Sequence, residues 1–99
     1  MFVTISMYQV RAGEEDAIVA MYEDWQRTLQ PKVVGYLSGE LLRGVENSRE
    51  FIAITRFESR EAAQTSTIDS ERETWYQRLM SLTEQVPIRT GYTSEWRAP

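Results

Sequence analysis

Residues 35–63 read GYLSGELLRGVENSREFIAITRFESREAA, and this stretch decides the architecture. Two runs rich in apolar and β-branched residues, Val33 to Arg43 and Phe51 to Phe57, flank a polar turn from Gly44 to Glu50. They predict two strands of a β-hairpin. Centring the hairpin on Asn47 places Leu41 opposite Ala53, Gly39 opposite Thr55 and Leu37 opposite Phe57 on one face. The other face then pairs Leu42 with Ile52, Glu40 with Ile54 and Ser38 with Arg56. A slip of one residue would exchange the faces, so this register is a sharp expectation. Gly35 and Gly39 suit a β-bulge, or room for a ligand or a close backbone. Glu40 and Arg56 are expected diagonal to one another on the second face, where they can pair.

Working outward, Phe2 to Val10 alternates, with Val3, Ile5 and Met7 on one face and Phe2, Thr4, Ser6 and Tyr8 on the other. Both faces carry apolar bulk, so both require cover. Glu14, Glu15 and Asp16 open a helix, where the positive end of the helix dipole favours acidic side chains. Ala17, Ile18, Met21, Tyr22, Trp25 and Leu29 continue it at helical spacing to about Gln30, and Pro31 ends it. Tyr22 and Trp25 fit either an aromatic ligand box or a core stripe. The dominance of large aromatics in small cores favours the core stripe.

After the hairpin, Ser59 is placed to cap a short helix. Thr65-Ser66-Thr67 interrupts it, and Ser70 with Glu73 forms a capping box that starts a second segment running to about Gln85. Trp75, Tyr76, Leu79, Met80 and Leu82 are its apolar side, and Pro87 breaks it. Val86 to Trp96 is the final strand, with Ile88, Tyr92 and Trp96 at alternate positions. The resulting order, β-α-β-β-α-β, is the ferredoxin-like plan of an α+β domain spanning residues 1–99. Its helices cover one sheet face. The other, carrying Val3, Ile5, Leu42, Ile52 and Ile54, needs a partner, and a second copy of the same sheet is the simplest. A chain of 99 residues buries only about two-thirds of its unfolded surface, which adds to the case for a homodimer.

The chain contains neither Cys nor His. Disulfides, thiolate nucleophiles, Cys/His zinc sites, a His general base and an axial His to haem iron are excluded. A carboxylate-only metal site stays open, but no EF-hand spacing appears, so a bound metal is not expected. The net charge of −4 argues against non-specific binding to nucleic acid or anionic membrane, which needs a basic surface. No apolar run approaches the roughly 18 residues of a transmembrane helix. The N-terminus alternates like a strand and lacks a basic n-region, so a cytoplasmic protein is expected.

The segments VRAGEED (Val10 to Asp16), GYLSGELLR (Gly35 to Arg43) and EFIAITRFESREAA (Glu50 to Ala63) resemble the antibiotic biosynthesis monooxygenase superfamily, whose members form dimeric α/β barrels. Where the family often reads Trp-Glu-Ser followed by Glu-Ala, this chain has Phe57-Glu58-Ser59 and Glu61-Ala62. Haem-degrading members use an Asn in strand one, a Trp at the end of strand three and a His on the later helix. Ser6 and Phe57 occupy the first two places here, Thr65-Ser66 stands where many members read Ala-His, and no His exists. Haem degradation is therefore disfavoured.

The resemblance then implies a cofactor-independent monooxygenase, with no metal, flavin or prosthetic group, oxidising a small phenolic or polyketide-like aromatic. Such a site holds the substrate anion and excludes water. The helix-facing candidates are Tyr8, chosen to hydrogen-bond the phenolate, and Ser6 on the same strand face, with Thr55, Phe57, Trp75 and Tyr76 binding the substrate. Trp75 and Tyr76 also suit plain core. Two other readings stay open. One is a non-catalytic module binding a small hydrophobic molecule in a closed pocket with no titratable group in reach. The other is an isomerase or lyase of the same fold, whose general acid or base would be Glu40, Glu58, Tyr8 or Tyr36.

Overall fold

The computed structural model describes residues 1–65 and 70–99. The elements are β1 (Phe2–Gln9), α1 (Glu15–Thr28), a 3-10 turn (Gln30–Lys32), β2 (Tyr36–Arg43), β3 (Glu50–Phe57), α2 (Arg60–Thr65), α3 (Ser70–Ser81) and β4 (Ile88–Thr93). They form one four-stranded sheet in the order β2-β3-β1-β4, with each neighbouring pair antiparallel. This is the α+β, ferredoxin-like arrangement that the element order predicts.

The helix boundaries follow from local chemistry. Glu15 and Asp16 occupy the first turn of α1. Pro31 sits at the start of the following 3-10 turn, where its missing N–H costs nothing. Ser59 caps α2 through its Oγ, which accepts from the Ala62 N–H at 3.2 Å. The interruption expected at Thr65-Ser66-Thr67 falls partly outside the described residues. α2 ends at Thr65, and α3 starts at Ser70 as expected.

The hairpin turn is organised by Asn47, whose Oδ1 accepts from the Arg49 N–H at 3.1 Å while its carbonyl accepts from the Glu50 N–H at 3.1 Å. The register from Ser38 to Arg43 is the one that a turn centred on Asn47 dictates. Beyond Ser38 it shifts. Tyr36, not Leu37, stands opposite Phe57, and Leu37 is the extra residue of a bulge. The bulge falls between the two glycines rather than at either. It leaves Leu37 49% exposed and turns the Tyr36 ring onto Phe57, edge to face, at 6.4 Å between centroids.

The expected strands were also too long. β2 starts at Tyr36 rather than Val33, because Gly35 takes a φ of +85° that breaks the extended chain. A Cβ there would lie 2.6 Å from the Ala62 Cβ, so Gly35 also permits the close approach of α2. β4 ends at Thr93, and Trp96 lies beyond it, 84% exposed.

The principal core joins the helix-facing sheet residues Tyr8, Phe51 and Ala53 to Ile18, Met21, Trp75 and Leu79. Complete burial of Phe51 and Leu79 contributes about 1.5–3 kcal/mol each. A smaller cluster of Val33, Phe57 and Ala63 seals the α2 end. The opposite sheet face carries Val3, Ile5, Met7, Leu42, Ile52, Ile54, Ile88 and Tyr92 by register. Of these, Met7, Leu42, Ile88 and Tyr92 are exposed. Glu40 and Arg56 share this face but form no ion pair. Arg56 instead donates from Nη1 to the Ser38 Oγ at 3.5 Å, because Ser38 and not Glu40 is its cross-strand partner.

Candidate functional site

Between the sheet and helices α1 and α3 lies a cavity of about 520 Å³, within the usual range of small-molecule pockets. Alternation along the strands delivers its floor: Thr4, Ser6 and Tyr8 from β1, Gly39 and Leu41 from β2, and Ala53, Thr55 and Phe57 from β3. Helix α1 contributes Tyr22 and Trp25, and α3 contributes Arg72, Trp75 and Tyr76. All six residues nominated from the sequence (Ser6, Tyr8, Thr55, Phe57, Trp75 and Tyr76) therefore border one cavity.

The polar centre is a pair of phenols. The Tyr8 and Tyr22 hydroxyl oxygens are 2.5 Å apart, and either can be the donor. Burial raises the Tyr8 pKa above its ordinary value of 10.0, with Tyr22, Ser6 and Arg89 opposing that rise and Tyr76 adding to it. Burial pushes Tyr22 up further, and the neighbouring Tyr8 adds to it. Both phenols are accordingly neutral near pH 7 and act as hydrogen-bond donors rather than bases. Arg72 brings one positive charge to the cavity wall, and Arg89 brings another. Arg89 borders the cavity and stands directly opposite Ser6 across the β1–β4 ladder. Its charge favours the ionised form of both phenols, so it favours an anion held beside them.

The aromatic walls are ordered by contacts with one another. Tyr22 meets Trp75 edge to face at 5.2 Å, and Trp25 meets Tyr36 at 5.4 Å. Trp75 is both wall and core: it is buried, and its Nε1–H donates to the Met21 carbonyl at 2.9 Å. Gly39 has a specific role here, since a Cβ at that position would lie 2.7 Å from the Tyr36 hydroxyl. Its missing side chain lets Tyr36 fold over the strand. No group of three or more Asp or Glu that could hold a metal ion occurs among the described residues.

Sequence reasoning read Tyr22 and Trp25 as core stripe and missed Arg89. The two aromatics do pack against the core, but they also face the cavity. Helical periodicity reports that a face is covered and does not report by what. Arg89 had no signal: its position depends on pairing β4 with β1, a long-range register that no turn specifies.

The family model described as antibiotic biosynthesis monooxygenase matches residues 1–78. No match is found among curated proteins. Solved structures of the same fold include a variant of SnoaB, a cofactor-independent oxygenase from Streptomyces nogalater. It superposes with a TM-score of 0.87 at 13% identity, covering 99% of this chain and 96% of that one. Rv0793 from Mycobacterium tuberculosis superposes with a TM-score of 0.80 at 17% identity, covering 99% and 98%. A conserved protein from Methanosarcina mazei Go1 gives 0.83 at 9% identity, covering 95% and 92%. Similarity at this level carries the fold, and the match over residues 1–78 carries the family: the chain belongs to the antibiotic biosynthesis monooxygenase family.

Proposed function

We propose that this protein is a cofactor-independent monooxygenase that oxidises a small, planar phenolic or polyketide-like aromatic. The observation that carries the proposal is the neutral Tyr8–Tyr22 phenol pair set beside Arg89 in an aromatic-walled cavity. Such a site suits an electron-rich aromatic anion. The aromatic walls hold the planar ring, the Tyr8 hydroxyl donates to its oxyanion, and the Arg89 charge lowers the cost of forming it. Ser6 adds a second hydroxyl opposite Arg89, and Thr55 a third on the cavity floor.

The reaction needs few protein groups. A substrate CH₂ conjugated to the phenol loses its proton to solvent before the site encloses it, and the resulting carbanion–enolate gives up electrons to oxygen and forms a carbon–oxygen bond. Protonation yields a hydroperoxide, which loses water and leaves a quinone carbonyl. One oxygen atom enters the product and the other leaves as water. The protein binds the anion, fixes which ring carbon meets oxygen, and excludes bulk water. Membership of the antibiotic biosynthesis monooxygenase family and the likeness to SnoaB, a cofactor-independent oxygenase, support this class of chemistry, and the substrate itself is inferred from the cavity.

The isomerase or lyase reading finds less support. Tyr8 and Tyr36 have raised pKa values and are poor bases near pH 7. Glu58 does not border the cavity. Glu40 borders it from a position whose register places its side chain with the open face. The binding-module reading expected no titratable group in reach, whereas Tyr8, Tyr22 and Arg89 converge there.

The test is oxygen uptake by purified, chelator-treated protein with a hydroxyanthrone in air. Uptake well above the buffer rate, with quinone formed in equal amount, is expected. Binding without uptake would replace the oxygenase reading with the binding-module one. We also propose that two copies assemble through the open sheet faces, because that face is apolar and otherwise wet.

A further inference from the structure

The aromatic walls of the cavity are held in two different ways. At one end hydrogen bonds fix the rings: Tyr8 and Tyr22 share a hydroxyl contact, and the Trp75 indole N–H donates to the Met21 carbonyl. At the other end stands Tyr36, half-buried and packed against Trp25 at 5.4 Å and Phe57 at 6.4 Å between ring centroids. No hydrogen bond holds its hydroxyl among the described residues. Shape sets its place instead. The phenol lies over Gly39, where a Cβ would come within 2.7 Å of the hydroxyl oxygen. β2 is an outer strand of the sheet, so no strand stands beyond Tyr36 among the described residues.

The register gives the distance between the two ends. Tyr8 stands level with Phe51, while Gly39 stands level with Thr55 and Thr4. The floor from Tyr8 to Thr4 is therefore four residues of strand, roughly 13 Å. Between them it carries the small side chains of Ser6 and Ala53. A linear tricyclic aromatic with its oxyanion at Tyr8 fills that length, and a further fused ring runs into the Tyr36 phenol.

We propose that Tyr36, seated on Gly39, determines the length of the aromatic that the cavity accepts: linear tricyclic ring systems fit, and longer ones are turned away. The inference rests on the oxygenase reading only for placing the substrate oxyanion at Tyr8. A longer ligand has to push Tyr36 off both Trp25 and Phe57. Selection by such a clash needs no additional attractive contact with the accepted ligand. The ring of Tyr36 is the part that selects, and its hydroxyl is not required. Because Gly39 provides the seat, the selection is lost when either residue of the pair is changed so that the ring no longer lies there.

The test compares a hydroxyanthrone with the linear hydroxytetracenone that carries one more fused ring. Binding is followed without oxygen by quenching of tryptophan fluorescence, so that it is read independently of turnover. The tricyclic is expected to bind at least about tenfold more tightly, the scale on which a pocket discriminates by size. Tyr36→Ala is expected to bring the ratio to about one or to invert it, since the longer ring then gains burial. Gly39→Ala keeps the Tyr36 ring but denies it its seat, and it should move the ratio in the same direction, which gives the reading even if Tyr36→Ala does not fold. Tyr36→Phe should retain most of the preference. A ratio near one in the unaltered protein, a ratio that both alanine variants leave intact, or no binding of either compound would overturn the length selection. Loss of the preference in Tyr36→Phe would overturn it too, because the phenol would then be a hydrogen-bond donor to the ligand and not an end stop. Failure of the oxygenase reading would show instead as intact length selection with no oxygen uptake from the hydroxyanthrone in air.

Discussion

The Tyr8 and Tyr22 hydroxyls meet at 2.5 Å, linking β1 to α1 through a contact between residues fourteen positions apart. The contact is part-buried, so each hydroxyl draws much of its hydrogen bonding from the other. Replacing either with Phe is expected to cost about 1 kcal/mol. The double replacement should cost less than the sum, with a coupling of about 0.5–1.5 kcal/mol between the two sites. Urea denaturation of the four proteins measures this, and simple additivity would mean that the hydroxyls do not support one another.

The same pair sets a pH dependence. Burial holds Tyr8 and Tyr22 above the ordinary phenol value of 10.0 in the folded protein. Their neutral forms are therefore favoured by folding. This contribution is fully present below pH 10 and is lost as pH rises through 10 towards the raised folded values, because the unfolded chain ionises first. Stability is expected to fall more steeply above pH 10 in the unaltered protein than in Tyr8→Phe/Tyr22→Phe. An ultraviolet titration of the five tyrosines should show Tyr8, Tyr22 and, through its own burial, Tyr36 ionising late.

Two glycines of β2 and its approach should respond differently to alanine. Gly35→Ala places a side chain at φ +85°, with its Cβ 2.6 Å from that of Ala62. Strain and overpacking together are expected to cost about 2–4 kcal/mol. Gly39→Ala meets only the Tyr36 hydroxyl, at the far end of a side chain that can swing away. Its stability should change by less than about 1 kcal/mol. The displaced Tyr36 ring should nevertheless weaken binding of a planar aromatic, which fluorescence titration would reveal.

Activity should discriminate among the polar groups. Arg89→Gln removes the charge opposite Ser6 and is expected to lower oxygenation about 100-fold, the scale for losing one group that stabilises a developing oxyanion. Tyr8→Phe should cost about 10- to 100-fold, mainly in kcat. Since both buried phenols are neutral, the pH–rate profile should follow ionisation of the substrate. A profile that tracks the enzyme and is identical for substrates of different acidity would point to a protein base instead. Unchanged turnover in Tyr8→Phe would leave the reaction class standing and remove Tyr8 from it.

Leu42 and Ile88 lie on the open face, with Ile88 72% exposed. If two sheets meet there, Leu42→Glu or Ile88→Glu buries a charge in the interface. Sedimentation should find a dimer for the unaltered chain at micromolar concentration and a monomer, or a much weaker dimer, for either variant. A folded monomer in the unaltered chain would remove the dimer.

Much of this architecture is legible in the linear chain because the relevant forces are local. Period-two alternation identifies β1 and β3, helical spacing identifies α1 and α3, and Pro31 marks where α1 gives way to a 3-10 turn. By contrast, α3 ends at Ser81, short of the expected Gln85 and Pro87, because Thr83 bridges to Val10. A short turn around Asn47 transmits its geometry directly into the register of Ser38 to Arg43. That register, with the alternation of β1, was enough to bring Ser6, Tyr8, Thr55 and Phe57 to one sheet face. The helical faces of Trp75 and Tyr76 then brought these two residues over it.

What tertiary structure alone decided lies where distant segments meet. The bulge at Leu37 turns Tyr36 onto Phe57, and the positive φ of Gly35, where α2 packs close, sets where the strand begins. Tyr22 and Trp25 carry a periodicity that suits core and cavity wall equally. The difference is set by how far α1 stands from the sheet. Arg89 borders the cavity that holds the phenol pair only because β4 pairs with β1 so that it stands opposite Ser6. Hairpin registers follow from a few covalently adjacent residues, whereas the β1–β4 register joins the two ends of the chain. It is selected by the packing of the whole domain, and for that reason the Arg89 charge at the border of the site was invisible in the sequence.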